Sequence, residues 1–148
     1  MTKDNTVKIM QSIQSELKAP KGQTNKFGGY SYRSAEDILE AVKPLLNKYN
    51  CFLTVSDEIV EVGGRVYVKS TSTVTESHGD TVSEASAYAR EAETKKGMDD
   101  AQITGSASSY ARKYSLNGLF AIDDTKDADA TNKHGKSQSL PVVTTTEF

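Results

Sequence analysis

The fold turns on Arg65-Val66-Tyr67-Val68-Lys69-Ser70-Thr71-Ser72-Thr73-Val74-Thr75. Side chains in this stretch alternate and are rich in β-branched and aromatic types, which predicts a long strand with two unlike faces. Gly63-Gly64 just before it is a hairpin signal, and residues 51–61 upstream alternate in the same way. His78-Gly79-Asp80 then turns the chain into a third strand over residues 81–90. Three strands joined by short turns predict an antiparallel meander, which must bury one face under another element. The next segment offers that cover. Asp99 or Asp100 can cap a helix over residues 100–116, with Ile103, Ala107, Tyr110, Ala111 and Tyr114 as its buried stripe. Asn117-Gly118 is its expected stop, after which Leu119, Phe120 and Ile122 pack back on the body.

Two helices are expected upstream. Val7, Ile9, Met10, Ile13 and Leu17 mark one over residues 5–18, ended by Pro20-Lys21-Gly22. Ser34 caps a second over 35–49, with Ile38, Leu39, Val42, Leu45, Leu46 and Tyr49 on its apolar side and Pro44 as a kink point. Between them, residues 26–33 read as a glycine- and aromatic-rich loop. The expected class is therefore α+β: a three-stranded antiparallel β-meander packed on a long helix, preceded by two N-terminal helices. Residues 1–125 form the core domain in this reading, and the acidic, then polar, residues 126–148 a disordered tail.

Composition narrows the function. No run of about 18 apolar residues exists, so a membrane span is not expected. The first residues lack an apolar secretory core, and the single Cys51 suits a reducing cytoplasm. The net charge of -2 argues against a globally basic nucleic-acid binder. That mean hides a split, because Asp123, Asp124, Asp127, Asp129 and Glu147 place the surplus of acid after residue 122.

Catalytic chemistry finds little to work with. His78, His134 and Cys51 do not make a zinc set or a nucleophile pair, and Gly135-Lys136-Ser137 lacks the upstream glycine of a phosphate loop. Glu91-x-Glu93-x-Lys95 with Asp80 upstream is the one arrangement that could hold Mg²⁺ in a nuclease, but a solvated charge run explains it more simply. No cofactor and no metal are expected.

Cations interleaved with aromatics are what a single strand of nucleic acid requires, since phosphates need charge and bases need flat surfaces. Lys26, Phe27, Tyr30, Tyr32 and Arg33 offer this in the loop, Arg65, Tyr67 and Lys69 on one face of the middle strand, and Tyr88 and Arg90 on the third. Arg112 and Lys113 lie between Tyr110 and Tyr114. Structural readings stand beside these. Tyr30 and Tyr32 could staple the loop, Tyr110 and Tyr114 at i,i+4 could be core, Arg112 and Lys113 could complement the dipole of a last helical turn, and Arg65 and Lys69 could protect an edge strand.

Two segments carry a family resemblance. Lys26-Phe27-Gly28-Gly29-Tyr30-Ser31-Tyr32-Arg33-Ser34, with Asp37-Ile38 and Val42-Lys43-Pro44-Leu45-Leu46, resembles the first signature of the ERF (essential recombination function) family of phage single-strand annealing proteins. Gly105-Ser106-Ala107-Ser108-Ser109-Tyr110-Ala111-Arg112-Lys113-Tyr114-Ser115-Leu116, followed by Gly118-Leu119 and Ile122-Asp123-Asp124, resembles the second. The resemblance spans about residues 5–125 and leaves out the tail. It implies an ATP-independent recombination protein, not an enzyme, that coats single-stranded DNA and pairs complementary strands as a ring or filament homo-oligomer. It also implies a phage or prophage protein at work in the bacterial cytoplasm; a host single-strand binding protein is a further expected partner, on the ground of the apolar-tipped tail rather than of the resemblance. In that family Arg112 and Lys113 match phosphate-holding helix cations, Arg33 lies near another, and Lys69 and Arg90 occupy suitable sheet positions. The alternatives are a recruitment protein acting through the apolar-tipped tail (Leu140-Pro141-Val142-Val143) and the Mg²⁺ nuclease.

Overall fold

A computed structural model describes residues 2–25 and 27–122, so Lys26, the tail from 123 onward and the tail's His134 and Gly135-Lys136-Ser137 lie outside the described residues. The elements run α1 (Lys3–Glu16), β1 (Gln23–Asn25), β2 (Tyr30–Tyr32), α2 (Ala35–Lys48), β3 (Cys51–Val62), β4 (Arg65–Glu76), β5 (Thr81–Arg90) and α3 (Asp100–Leu119). The α+β class holds as expected. β3, β4 and β5 form one antiparallel sheet in that order, and β1 pairs with β2 in a small separate hairpin. The residues around 26–33 are therefore not simply a loop. Three-residue strands carry too little alternation to be read from sequence.

Gly63 and Gly64 adopt φ of 58° and 78°, and Val62 pairs directly with Arg65. Positive φ at both central positions is the geometry whose twist suits a two-residue hairpin, so the glycines fix the β3–β4 register. That register sends Val68, Ser70, Ser72, Val74 and Glu76 of β4 to one, buried, face.

α3 lies on that face by presenting small residues to it. Ala107, Ala111 and Ser115 are buried at four-residue spacing, and a Cβ added at exposed Gly118 would make ordinary contact with the Ala85 methyl of β5, at 3.9 Å. Across from them stand Ser70 and Ser72 of β4 and Ala85, Ala87 and Ala89 of β5. The Ser115 hydroxyl bonds Ser72 at 2.6 Å and Ser70 at 3.3 Å, and donates to the Arg112 carbonyl at 3.1 Å. The buried hydroxyls thus satisfy one another in a layer otherwise made of methyl groups.

Larger side chains gather at one end. Met10 and Ile13 of α1, Ile38, Val42 and Leu46 of α2, Val74 of β4, and Leu116, Leu119 and Phe120 form the main core. Gln14 donates to the Leu119 carbonyl at 3.0 Å, serving one of the acceptors left open at the end of α3. Asn117-Gly118 does not stop the helix as expected. The helix carries on through exposed Gly118 to Leu119, and the stop comes at Ala121, in the left-handed region at φ 57°, with Ile122 N donating to the Asn117 carbonyl at 2.9 Å. α2 likewise runs from Ser34 through Pro44 to Lys48.

Ser34 and Asp37 close a reciprocal cap at the start of α2. Burial opposes the charge on Asp37, yet hydrogen bonds from Ser34, Gln23 and Gly22 hold its carboxyl below the usual carboxylate range. Gly22 lies against that carboxylate with no room for a Cβ, which would fall 2.9 Å from Oδ1. This contact fixes where the β1–β2 hairpin leaves α2.

At the other hairpin, buried Glu76 accepts from Asp80 N at 2.8 Å and bonds His78 Nδ1 at 2.8 Å. Burial raises its pKa, but the backbone donors of Asp80 and His78 and the His78 ring outweigh this and hold it at about 2. The folded pKa is below the ordinary 4.5, so the stabilisation is complete above that value and disappears as the pH falls towards 2. Glu76→Gln should therefore be less stable than the parent at neutral pH. Chemical unfolding should show that difference shrinking as the pH drops through this window.

The small-residue layer makes a second prediction. Ala111→Leu should cost about 1–3 kcal/mol by overpacking the helix–sheet contact. Gly105→Ala, on a side of α3 where an added Cβ meets nothing within 4 Å, should gain about 0.5–1 kcal/mol. Urea midpoints of the two variants, moving in opposite directions, check this.

Candidate nucleic-acid interface

Register brings four of the sequence-selected residues into one patch. Lys69 of β4 lies directly across from Tyr88 of β5, and Tyr67 across from Arg90, all on the sheet face opposite α3. Lys69 Nζ is 5.8 Å from the Tyr88 ring centroid, and the Arg90 guanidinium carbon 6.0 Å from that of Tyr67. The result is a checkerboard of two cations and two rings, in which each ring can shield its cation from neighbouring charge. Glu58 of β3 stands across from Lys69 on its other side, so the positive potential is strongest toward the β5 edge.

β4 is the central strand, which removes the edge-protection reading of Arg65 and Lys69. Arg65 has a structural task instead: its Nη2 donates to the Glu91 carbonyl at 3.0 Å, while Glu91 N donates to the Val66 carbonyl. This ties the end of β5 to the β3–β4 turn.

Arg112 and Lys113 part company. Arg112 reaches the β3 edge, where Nε lies 3.3 Å from both Asp57 carboxylate oxygens and Nη2 3.2 Å from Oδ2. Burial pushes the Asp57 carboxyl up, but hydrogen bonds from Ser108, Arg112 and Ser70 and the Arg112 charge hold it below the usual carboxylate range. Lys113 turns away from the sheet, with Nζ 5.8 Å from the Tyr32 ring centroid of the β1–β2 hairpin. Both cations lie before the final turn of α3, which has no basic residue, so the dipole reading does not apply to them.

Tyr110 and Tyr114 are not core, contrary to expectation. They are 55% and 48% exposed and stack on each other at a centroid distance of 6.1 Å. The four-residue spacing was shared by two stripes, and Ala107, Ala111 and Ser115 took the buried one. The flanking hydroxyls and cations, Ser109, Arg112 and Lys113, were the signal that this side of the helix meets water.

These positions form one band. Tyr32 contacts Lys113, and Lys113 neighbours Tyr110 at i,i+3 on the helix. Tyr110 stacks on Tyr114, and both share a cleft with Tyr88 and Arg90, which lead on to Lys69 and Tyr67. The band passes round the β5 side of α3, whereas Arg112 lies on the β3 side.

The remaining candidates lie apart from it. Arg33 turns toward the end of α1, its Nε donating to the Ala19 carbonyl at 2.5 Å. Tyr30 pairs through its backbone with Asn25 in the hairpin, and Phe27 at the hairpin tip is fully exposed. Asp80 and Glu91 lie beyond opposite ends of β5, roughly 30 Å apart at the rise of a strand. The nuclease grouping is therefore not assembled, and Glu91 accepts instead from the Thr104 hydroxyl at 2.7 Å. Among the described residues no group of three or more His, Cys, Asp or Glu is placed to hold a metal ion, and no helix is long and apolar enough to cross a membrane.

A meander on one helix, with cations and tyrosines running round its edge, is a fold and surface suited to a polyanionic strand. The ERF superfamily profile matches residues 7–146, nearly the whole chain, and the chain belongs to that superfamily. The match reaches past residue 125, into the segment that the sequence resemblance left out. Among curated proteins the chain is similar to the essential recombination function protein of Salmonella phage P22, 60% identical over 130 residues. That alignment covers 88% of this chain and 61% of the relative, so the chain spans less than two thirds of its length. No solved structure matches.

Proposed function

We propose that the chain is a phage recombination protein that binds single-stranded DNA and anneals complementary strands without ATP, acting as a homo-oligomer. The observation that carries this reading is the cation–tyrosine band from Tyr32 and Lys113 to Lys69 and Arg90. Cations spaced along a path neutralise phosphates, and once a strand is held its bases choose the partner by pairing. Duplex stacking then drives the reaction, so no nucleotide hydrolysis is called for. The name of the phage relative and the family membership support the same assignment.

Oligomerisation suits the size of the site. One subunit offers a path only a few residues long, and linked copies multiply weak contacts into a stable track. Among the described residues β3 pairs only with β4, which leaves its outer edge, away from the strand path, able to meet a neighbouring copy. A host single-strand binding protein is the remaining partner in this proposal, and the host cytoplasm its setting.

Within this reading Lys113, Lys69 and Arg90 hold phosphates directly. Arg112 is engaged by Asp57 on the β3 side through Nε and Nη2, Tyr32 stands at the Lys113 end of the path, and Arg33 and Arg65 are held in backbone contacts away from it. Lys69→Ala with Lys113→Ala should weaken binding of a single-stranded oligonucleotide and flatten the slope of log affinity against log salt by about 0.7 per lost phosphate contact. Arg112→Ala should cost less than Lys113→Ala. Fluorescence anisotropy across a salt series, beside an annealing assay without nucleotide, reads both. Unchanged binding and annealing in the double variant, or annealing that requires ATP, would overturn the assignment.

A further inference from the structure

The cleft between β5 and α3 has more than charge to offer. It encloses about 440 Å³, within the range of small-ligand pockets. Its α3 wall is Tyr110 and Tyr114, and at the β5 edge it is bordered by Tyr88, 53% exposed, whose side chain leaves the sheet on the face away from the helix. Its floor is apolar and shallow-sided, with Ile103, Ala107 and Ala89. Arg90 and Lys95 stand at its rim, and Lys69 lies against the far side of Tyr88. Exposed aromatic rings are expensive to leave in water, and two stacked ones stand here beside apolar floor residues with cations at the edge only.

We propose that this cleft receives an unpaired nucleobase of the bound strand and holds it by stacking on the Tyr110–Tyr114 pair, beside the β5 edge that carries Tyr88. The inference rests on the single-strand reading above and adds a base-holding site to it. Tyr110 and Tyr114 already stack on each other, with ring planes 30° apart, so a base joins the outer face of the pair rather than entering between them. Arg90, Lys95 and Lys69 then fall where the flanking phosphates pass. Stacking reads no base edge, so the site accepts any sequence, as pairing along an arbitrary strand requires. A base held in this way is withheld from pairing and registers the strand on the subunit.

The test uses the full chain, with Tyr110→Ala plus Tyr114→Ala and the conservative Tyr110→Phe plus Tyr114→Phe. The probes are a single-stranded thymidine oligonucleotide and an abasic oligonucleotide of the same length. The alanine variant should lose about tenfold or more in affinity for the thymidine strand, while its affinity for the abasic strand stays at the parent value. The phenylalanine variant should match the parent on both. Equal affinity of the parent for the two strands would overturn the stacking site and leave the single-strand reading standing. Equal losses on both strands, or a smaller assembly of the alanine variant in sedimentation, would assign the tyrosines to charge placement or subunit contact and also overturn it. Failure of the parent to bind either strand would remove the single-strand reading together with this site.

Discussion

Everything in this fold follows from how closely α3 lies on its sheet. Ala107, Ala111 and Ser115 face Ser70, Ser72 and the β5 alanines, so the middle of the helix meets the strands through small side chains, with Ile103 before them and Leu116 after. Tight packing of small groups brings many atoms into contact but buries little apolar area for each residue. The serine hydroxyls are affordable there because Ser115 joins Ser70 and Ser72. Larger apolar residues are pushed to the C-terminal end of α3, where α1 and α2 complete the core. Larger aromatic residues are pushed to its flank. Tyr110 and Tyr114 face water because the helical phase that buries Ala107, Ala111 and Ser115 turns them outward.

The sheet edge inherits its character from the same constraint. With one face committed to methyls and hydroxyls, alternation along β4 and β5 sends Tyr67, Lys69, Tyr88 and Arg90 to the other. Lys113 reaches Tyr32 of the hairpin, whose approach to α2 is marked by the contact between Gly22 and Asp37. A band of charge and rings thus passes from helix to sheet round β5, while Asp57 draws Arg112 to the opposite side. Two residues adjacent in sequence serve different surfaces, as successive positions about 100° apart on a helix can.

Much of the fold was legible in the sequence. Eleven alternating residues, a Gly-Gly turn and a capped helix of small residues announce a meander on a helix, and the two upstream helices are marked by ordinary apolar spacing. What escaped is instructive in physical terms. The β1–β2 hairpin is too short to show a period. Gly118 looks like a stop but lies inside the helix, because the chain keeps helical geometry to Leu119 so that Leu116, Leu119 and Phe120 reach the main core. Tyr110 and Tyr114 share their spacing with a buried stripe, and only the helical phase decides which stripe goes inside. In the candidate site, the sheet cations and their tyrosine partners could be read from alternation. The division between Arg112 and Lys113 could not, since it depends on an aspartate 55 residues away.

The central claim is the route of the strand: round the β5 side of α3, not along the β3 edge. Photo-cross-linking of a bound single-stranded oligonucleotide, with attachment sites mapped by peptide mass spectrometry, tests it directly. The account predicts cross-links at Tyr88, Tyr110, Tyr114 and Tyr32, with none on β3. Cross-links concentrated on β3 around Asp57, with the tyrosines untouched, would contradict it.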